Sequence, residues 1–216
     1  MTDHPTASTA PSSRYPLTLL GVFLAWWTLL AIAPWYRQDW LLENLLVFIA
    51  VPLLVWSYRR MRFSNLAYTL LFVFFCLHEI GAHYTYAEVP WSSWLKSLTG
   101  WDAMDALGMS RNHYDRVIHF SYGLLVVPAV AELLEARGPL RSWWRNLVPI
   151  LFIMSNSELF EMIEWQAAEI FGGELGQAYL GTQGDIWDAQ KDSAMAMIGA
   201  VVGLWAYRWR PLRQKT

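Results

Sequence analysis

Apolar residues dominate six stretches of the chain, and polar or charged residues separate them. The stretches are 17–34, 41–58, 66–84, 115–134, 147–171 and 188–207. A helix that crosses the hydrocarbon core of a membrane needs about 20 mainly apolar residues. The first three stretches are strongly apolar, whereas the last three contain charged residues and give a weaker signal. The pattern predicts an all-α, polytopic membrane helix bundle of about six transmembrane helices.

The basic residues predict the orientation of this bundle. Eleven of the 16 Lys and Arg residues lie on the side that would hold both termini, around positions 14, 59–62, 137–145 and 208–215. Short loops that are rich in Lys and Arg stay on the cytoplasmic side of a membrane. We therefore expect cytoplasmic N and C termini, and the even number of predicted helices agrees with this.

The two ends of the chain differ in composition from the part between them. The first 13 residues are rich in Ser, Thr and Pro, so we expect a disordered cytoplasmic tail over 1–14. A single transmembrane bundle is predicted for 15–210, followed by a basic C-terminal tail over 211–216. The apolar run after Arg14 also resembles a signal peptide, with a small-residue site near Ala33. Because several further spans follow, we expect an uncleaved helix.

The third connection, over 85–114, is long and would lie on the extracytoplasmic side. Its large apolar side chains approximate helical spacing, at Trp91, Trp94, Leu95, Leu98 and Trp101. This spacing predicts a short helix that lies in the membrane interface. The alternative is an ordinary loop that is rich in aromatic residues.

Composition supports the assignment to the membrane. Hydrophobic residues make up 55% of the chain and charged residues 16%, whereas soluble domains contain about 25% charged residues. The 14 Trp residues suit a protein with two membrane interfaces. A net charge of −2 gives no sign of a nucleic-acid partner. We expect membrane lipids to be the surroundings, and the single Cys76 excludes an internal disulfide.

Twelve charged or His residues fall within or beside the last four of these stretches, where each needs a reason. At a rise of 1.5 Å per residue, most lie about 17–26 Å above the cytoplasmic start of their helix. They are His78, Glu79, His83, Asp115, Arg116, His119, Glu158, Glu161, Glu164, Asp185, Asp188 and Asp192. The common height predicts one polar chamber in the outer half of the bundle, provided that the four helices are neighbours.

Spacing indicates which of these side chains share a face. Residues four apart lie on the same side of a helix, so Asp115 pairs with His119 and Asp188 pairs with Asp192. The segment 181–192 combines two glycines, which suit a tight turn, with three acids at helical spacing. Capping by a single acid at the helix N-terminus is the alternative explanation of this segment.

In two other helices the spacing does not place all of the polar side chains on one narrow face. The acids Glu158, Glu161 and Glu164 are three apart and cover one broad face. His78 and His83 are five apart, and so about 140° apart on a regular helix. They do not form the H-E-x-x-H zinc motif, and His78 would join Glu79 and His83 only if the helix were distorted at Gly81. Further along the chain, the Gly199 and Gly203 pair predicts a close approach of another helix to the last helix.

Parts of the sequence resemble two known membrane families. Residues 115–203 resemble the VanZ-like family through Asp115-Arg116 with His119-Phe120, the Glu158/Glu161 region and Asp192 with Gly199 and Gly203. Arg116 stands where that family commonly has Lys. VanZ itself is associated with low-level glycopeptide-antibiotic resistance.

A longer resemblance covers the chain from about residue 16 to residue 210. It is to the uncharacterised YjdF-type inner-membrane proteins, through three motifs and the 181–192 segment. The motifs are His78-Glu79-x-Gly81-Ala82-His83-Tyr84, Asp115-Arg116-x-x-His119-Phe120 and Glu161-x-x-Glu164-Trp165. This resemblance implies an integral protein of the bacterial inner membrane and supplies no reaction.

The leading hypothesis from the residues is a metal-assisted hydrolase or transferase that acts on a lipid or lipid-linked substrate. Imidazole and carboxylate ligands suit divalent Zn or Mn, and carboxylates suit Mg. The candidate ligands are His83, His119, Glu161 and Asp192, with Glu158 or Asp188 as alternates. Glu164 or Asp188 could act as the general base, and Arg116 could hold a phosphate.

Two other functions remain open at this point. The chamber could bind a lipid or lipid headgroup without catalysis. It could also handle protons or ions, because acids and His can relay protons inside a membrane. Against the second, no continuous polar path across the membrane is evident in the sequence. For any single His, an ordinary packing role is the simpler explanation.

Overall fold

A computed structural model describes residues 13–138, 140–171, 173 and 180–209. Within these residues the chain forms eight α-helices and one 3₁₀ turn, with no β-strand. In order, they are α1 (Arg14–Leu30), α2 (Arg37–Ser57), α3 (Asn65–Tyr84), the turn Tyr86–Glu88, α4 (Trp91–Thr99), α5 (Ala103–Ala106), α6 (Tyr114–Arg137), α7 (Trp144–Phe171) and α8 (Asp188–Arg208). The all-α prediction is confirmed. The predicted tails lie largely outside the described residues, which leave out 1–12 and 210–216.

Each of the six predicted apolar stretches coincides with a helix, namely α1, α2, α3, α6, α7 or α8. The largest difference is at α1, which was expected to reach position 34 and ends at Leu30. Pro34 disfavours the helical conformation at the preceding residue, and Ala33 has a φ of 48°. At the other end of α1, Arg14 is the first helical residue rather than the end of the tail.

Three of the described helices are long and apolar enough to cross a membrane by length and composition. They are α2, α3 and α6. Helix α1 is apolar but has 17 residues, which falls short of the usual length. Helix α6 was expected to give a weak signal, yet it qualifies because its charged residues are confined to its two ends.

Helix α6 is central to the packing, with α3 on one side and α7 and α8 on the other. One apolar core joins α1, α2, α3 and α6 and includes Phe23 and Phe74. A second core joins α6, α7 and α8 and includes Val127, Ile153 and Ala200. Since α6 contributes to both cores, it connects the first three helices to the last two.

Helices α6 and α8 pack backbone against backbone. A Cβ atom on Gly199 would lie 2.0 Å from the carbonyl oxygen of Phe120, and one on Gly203 would lie 2.4 Å from that of Leu124. The predicted close approach at these two glycines is therefore confirmed, and the partner is α6. Gly123 plays the same part on α6, since its Cβ would lie 1.9 Å from the carbonyl oxygen of Ala196.

The third connection contains the predicted short helix. Helix α4 begins at Trp91 and ends at Thr99, where Gly100 takes a left-handed conformation with a φ of 75°. Leu98 is 84% exposed and Trp94 is 40% exposed. Trp101 lies beyond the end of the helix. The apolar face that the sequence predicted is thus present and open on one side.

Glu132 ties three helices together at the end of the bundle that carries the arginine-rich segments. The backbone N–H and hydroxyl of Ser64 donate to its carboxylate, at 2.7 and 2.6 Å. The hydroxyl of Tyr207 donates to it as well, at 3.1 Å. Glu132 therefore joins α6 to the start of α3 and the end of α8, opposite the predicted polar chamber.

Candidate functional site

Three aspartates meet where α6 and α8 begin. Asp115 lies in the first turn of α6, and Asp188 and Asp192 lie in the first two turns of α8. One carboxylate oxygen from each lies within 4.8 Å of the others, and all three residues are buried. Among the described residues this is the one group of three or more acidic, His or Cys side chains close enough to share a metal ion. We call it the Asp triad.

Two arginines neutralise much of the charge of the Asp triad. Arg111 donates to both oxygens of Asp188, at 2.6 and 3.2 Å, in a bidentate pair. Arg116 donates to Asp188 at 3.1 Å and to Asp185 at 2.5 Å. Its Nε lies 3.9 Å from Oδ1 of Asp192. The acids at the start of α8 therefore bind partners, and capping alone does not explain them.

A turn before α8 and the residues before α6 hold each other in place. The backbone N–H of Asn112 donates to the Gln183 side chain at 2.8 Å, and the Gln183 amide donates back to the Asn112 carbonyl at 2.9 Å. Arg111 also donates to the carbonyl of Thr182 at 3.1 Å. Gly181 and Gly184 have positive φ values of 60° and 85°, which glycine adopts without strain. The expected tight turn is present and carries Asp185 to the arginines.

His119 lies between the Asp triad and α7. Its Nε2 is 3.2 Å from Oε1 of Glu161 and 3.6 Å from Oδ1 of Asp115. Its Nδ1 is 3.0 Å from the hydroxyl of Ser157. Nδ1 thus has a hydrogen-bond partner, Nε2 faces two carboxylates, and the predicted neighbourhood of His119, Asp115 and Glu161 is present.

The acids of α7 divide between the interior and the surface. Glu164 is buried, and its carboxyl neighbours that of Glu161. Glu158 is exposed and accepts a hydrogen bond from the hydroxyl of Ser193 at 2.9 Å. A face of three acids at spacing three was too broad to point inward as a whole, because its two ends are about 120° apart.

His83 contacts α1, and the Asp triad does not include it. Its Nδ1 lies 2.7 Å from the carbonyl oxygen of Leu30, so this nitrogen donates. Its backbone carbonyl accepts from the N–H of Trp35 at 3.0 Å. Helix α3 is continuous from Asn65 to Tyr84, so the distortion that would bring His78 to the side of Glu79 and His83 is absent. Gly81 instead makes room for the Tyr86 ring, which a Cβ would approach to 2.2 Å.

His78 and Glu79 belong to a second buried polar cluster, between α2 and α3. Nε2 of His78 donates to the carbonyl of Glu43 at 3.2 Å, and its Nδ1 accepts a hydrogen bond from the Tyr86 hydroxyl. Glu79 is fully buried, with Asn44 as its polar neighbour. Asp39 accepts a hydrogen bond from Thr85. We call this group, with Asp39, Glu43 and Glu79 as its acids, the α2–α3 cluster.

Sequence reasoning missed Arg111, Asp39 and Glu43. Arg111 was treated only as a loop charge, although it stands five residues before Arg116 and next to an Asn that can fix a turn. Asp39 and Glu43 are four apart near the start of a mainly apolar helix. That spacing puts both on one helical face, and this signal could have identified the cluster.

Outside the helices, hydrogen bonds and burial change the titration of two residues beside the Asp triad. The Lys191 ammonium, the backbone N–H of Trp187 and the Arg116 guanidinium hold the pKa of Asp185 well below its usual range. Burial lowers the pKa of His113, and the nearby positive charges of Arg116 and Arg111 act in the same direction. Asp185 is therefore ionised, and His113 is neutral near pH 7.

The donor set of the Asp triad fits a hard divalent cation. Carboxylate oxygens are the ligands that Mg²⁺ and Mn²⁺ prefer. Oδ1 of Asp192 is buried and accepts no hydrogen bond from the described residues, and such an atom calls for an ion or a water. No His nitrogen joins the triad, which makes Zn²⁺ the least suitable of the metals that the sequence suggested.

Comparison with known proteins shows which family the chain belongs to. Residues 15–211 match the model of a family described as predicted membrane protein, DUF2238. The chain belongs to the DUF2238 family. It is also 36% identical over 209 residues to the inner membrane protein YjdF of Escherichia coli (strain K12), a match that covers 94% of this chain and 92% of that relative. No solved structure matches the chain.

Membership of the DUF2238 family agrees with the apolar helices. The family is one of predicted membrane proteins, and the relative is named as an inner-membrane protein. The chain is accordingly an integral protein of the inner membrane, as the sequence predicted. The matched residues include the Asp triad, both arginines and the α2–α3 cluster.

Proposed function

We propose that α1, α2, α3, α6, α7 and α8 all cross the inner membrane, with both termini in the cytoplasm. The Lys and Arg residues support this orientation. It puts the Asp triad, the turn before α8 and α4 at the extracytoplasmic end. Helix α4 would then lie in the outer interface with Leu98 and Trp94 toward the lipid headgroups.

In this orientation the protein is a divalent-metal-dependent hydrolase or transferase that acts on a lipid or lipid-linked phosphate. The observation that carries the proposal is the Asp triad, in which Oδ1 of Asp192 is buried and accepts no hydrogen bond from the described residues. Asp115, Asp188 and Asp192 would hold Mg²⁺ or Mn²⁺. When bound, such an ion polarises a phosphoryl oxygen and makes a bound water more acidic.

The neighbouring residues would divide the remaining tasks. Arg116 and Arg111 lie at the rim of the triad and could orient an anionic phosphate, since guanidinium matches phosphate geometry. His119 is positioned by Ser157 at Nδ1, and its Nε2 would exchange a proton with the substrate. Asp188 already accepts hydrogen bonds from both arginines, which suits it to positioning them better than to acting as a base.

The test is an assay of the purified protein with phospholipids and lipid-linked phosphates, with and without Mg²⁺ or Mn²⁺. We expect metal-dependent release or transfer of phosphate or headgroup that is lost in D192N and H119Q. The matched control is E158Q, which alters an exposed acid of α7 and should keep full activity. Turnover that is equal in D192N and the parent would exclude this mechanism.

A second candidate function is proton or ion handling, and the α2–α3 cluster favours it. Oδ1 of Asp39 and Oε2 of Glu43 are buried and have no hydrogen-bond partner among the described residues. Acids in such a position inside a membrane are typical of ion and proton pathways. Proton or Na⁺ flux into proteoliposomes that is lost in E43Q would support it, and absence of flux in the parent would exclude it.

A non-catalytic role in binding a lipid headgroup is the third outcome of these assays. It would leave turnover and flux both undetected while a lipid remained bound at the outer end. Variants R111Q and R116Q would then lower the amount of lipid retained. This result would keep the membrane orientation and remove the enzyme.

A further inference from the structure

An apolar groove runs between α1 and α2, with α3 as its floor, at the end of the bundle opposite the Asp triad. Its volume is about 150 Å³. Its lining comes from α1, α2 and α3 and includes Leu20, Phe23, Val55, Tyr58, Tyr68 and Phe75. Apart from the two tyrosine hydroxyls, these side chains carry no polar atoms, and apolar cavities of this kind stay free of water and bind apolar ligands.

The groove exists because α1 and α2 are joined at one end only. Near the extracytoplasmic end, the Trp27 indole donates to the Asn44 side chain at 2.6 Å. Its ring also packs on Trp40 and Phe48, with centroids 5.7 and 6.2 Å away. Otherwise both helices pack on α3 rather than closely on each other. The space between them is therefore a feature of the helix arrangement and does not depend on a single side chain.

Positive charge lies at the mouth of this groove. The Arg62 guanidinium lies 4.8 Å from the ring centre of Tyr58, which lines the groove. Arg60 is close in sequence but lies 4.3 Å from the ring centre of Trp56, which does not line the groove. Both arginines are exposed. Cationic side chains next to the membrane attract anionic lipids, and clustered Lys and Arg on the cytoplasmic side do so most strongly.

We propose that this groove is a binding site for an anionic phospholipid, with one acyl chain between α1 and α2 and the phosphate at Arg62. The charge at the mouth separates this site from the rest of the lipid-facing surface. The proposal is independent of the Asp triad and of any catalysis.

The test is native mass spectrometry of the purified full chain, titrated with phosphatidylglycerol or with phosphatidylethanolamine that carries the same acyl chains. We expect one phosphatidylglycerol to remain bound to the parent and phosphatidylethanolamine to bind more weakly. L20W should fill the groove and block binding. R62Q should lower affinity by about five-fold, on the basis of the attraction per basic residue at a lipid surface.

Two controls separate this site from unspecific contact with lipid. L24W adds the same bulk to an exposed position of α1 outside the groove, and R141Q removes an arginine from the same side of the membrane. Both should bind like the parent. Equal binding of the two lipids, undiminished binding to L20W, or a lipid-free dimer in place of the complex would overturn the proposal. If inorganic phosphate alone displaced phosphatidylglycerol, binding would depend on the headgroup without the acyl chain. That result would also contradict the proposal.

Discussion

At the scale of single residues, the best-defined feature is the ion-pair network between two arginines and the acids at the start of α8. The side chain of Arg111 is 9% exposed and that of Asp188 is 5% exposed. A buried ion pair is costly to break from one side, because the remaining charge stays desolvated and unpaired. Asp188 would keep Arg116 as its only guanidinium partner if Arg111 were lost.

Arg111→Gln should lower the free energy of unfolding by about 1.5–3 kcal/mol, the usual contribution of hydrogen bonds to a charged group, because Asp188 keeps Arg116 as a partner. The measurement is a denaturation curve of the protein in detergent. The comparison is Lys96→Gln, which removes an exposed ion pair with Asp102 in the outer connection and should have no measurable effect. A similar loss in both variants would mean that burial of the pair is unimportant.

Asp185 gives a prediction about pH. Its pKa is lowered in the folded protein by Lys191 and Arg116. In the unfolded chain the pKa of an Asp is about 3.9. Because the folded value is the lower one, the contribution of the ionised carboxylate is complete above the unfolded value and declines as pH falls below it.

The difference in thermal midpoint between the parent and D185N should therefore stay constant from pH 7 down to about pH 5 and shrink below about pH 4. Asp105→Asn, at an exposed position of α5, is the comparison and should show no such dependence. A difference that already disappears near pH 6 would mean that the ion pairs of Asp185 are not formed in solution.

Some of these residues could be predicted from the sequence because spacing alone decides them. Asp115 with His119 and Asp188 with Asp192 share faces through their separation of four. Spacing does not fix the rotation of a helix within a bundle, so Glu158 was grouped with Glu161 although it points outward. His83 and Arg111 depend on which segment packs beside them, and a sequence pattern carries no information about that.

At the scale of helices, the close contact of α6 with α8 holds the two ends of the Asp triad together. The sequence predicted a close approach of another helix to α8 from the small residues Gly199 and Gly203. The partner helix was not readable, because one sequence motif does not name the surface that it meets. The end of α1 was also misplaced, because the effect of Pro34 reaches the residue before it.

Gly123→Ala should destabilise the protein by about 1–3 kcal/mol or more, as overpacking does when backbone atoms must move. The added Cβ would lie 1.9 Å from a backbone oxygen of α8. Gly21→Ala is the matched comparison, since nothing lies within 4 Å of its Cβ on α1, and it should be neutral or stabilising by about 0.5–1 kcal/mol. The measurement is the thermal midpoint of each variant, and equal midpoints would contradict the packing of α6 on α8.

At the scale of the whole molecule, the chain is a membrane bundle with a polar site at one end. At the other end it has an apolar groove with an arginine, Arg62, beside it. The six long helices could be predicted because the number and length of the apolar stretches are read directly from the sequence. The division into two polar groups, the Asp triad and the α2–α3 cluster, depended on which helices are neighbours and required the structure.

The orientation can be tested with single cysteines in a C76S background. Ser97→Cys, in α4, should react with a membrane-impermeant maleimide in spheroplasts. Arg141→Cys, between α6 and α7, should react only after the membrane is permeabilised. The reverse pattern would put the Asp triad in the cytoplasm and the groove at the outer face.

The central claim is that the Asp triad binds a divalent metal, and metal content after purification tests it most directly. Elemental mass spectrometry of the protein, dialysed against Mg²⁺ or Mn²⁺ and then freed of unbound ions, should find about one ion per chain, as expected for a carboxylate site. Asp192→Asn and Asp115→Asn should lose it while eluting as folded protein, and Glu158→Gln should keep it. Metal-free parent protein, or equal metal in Asp192→Asn and the parent, would contradict the account.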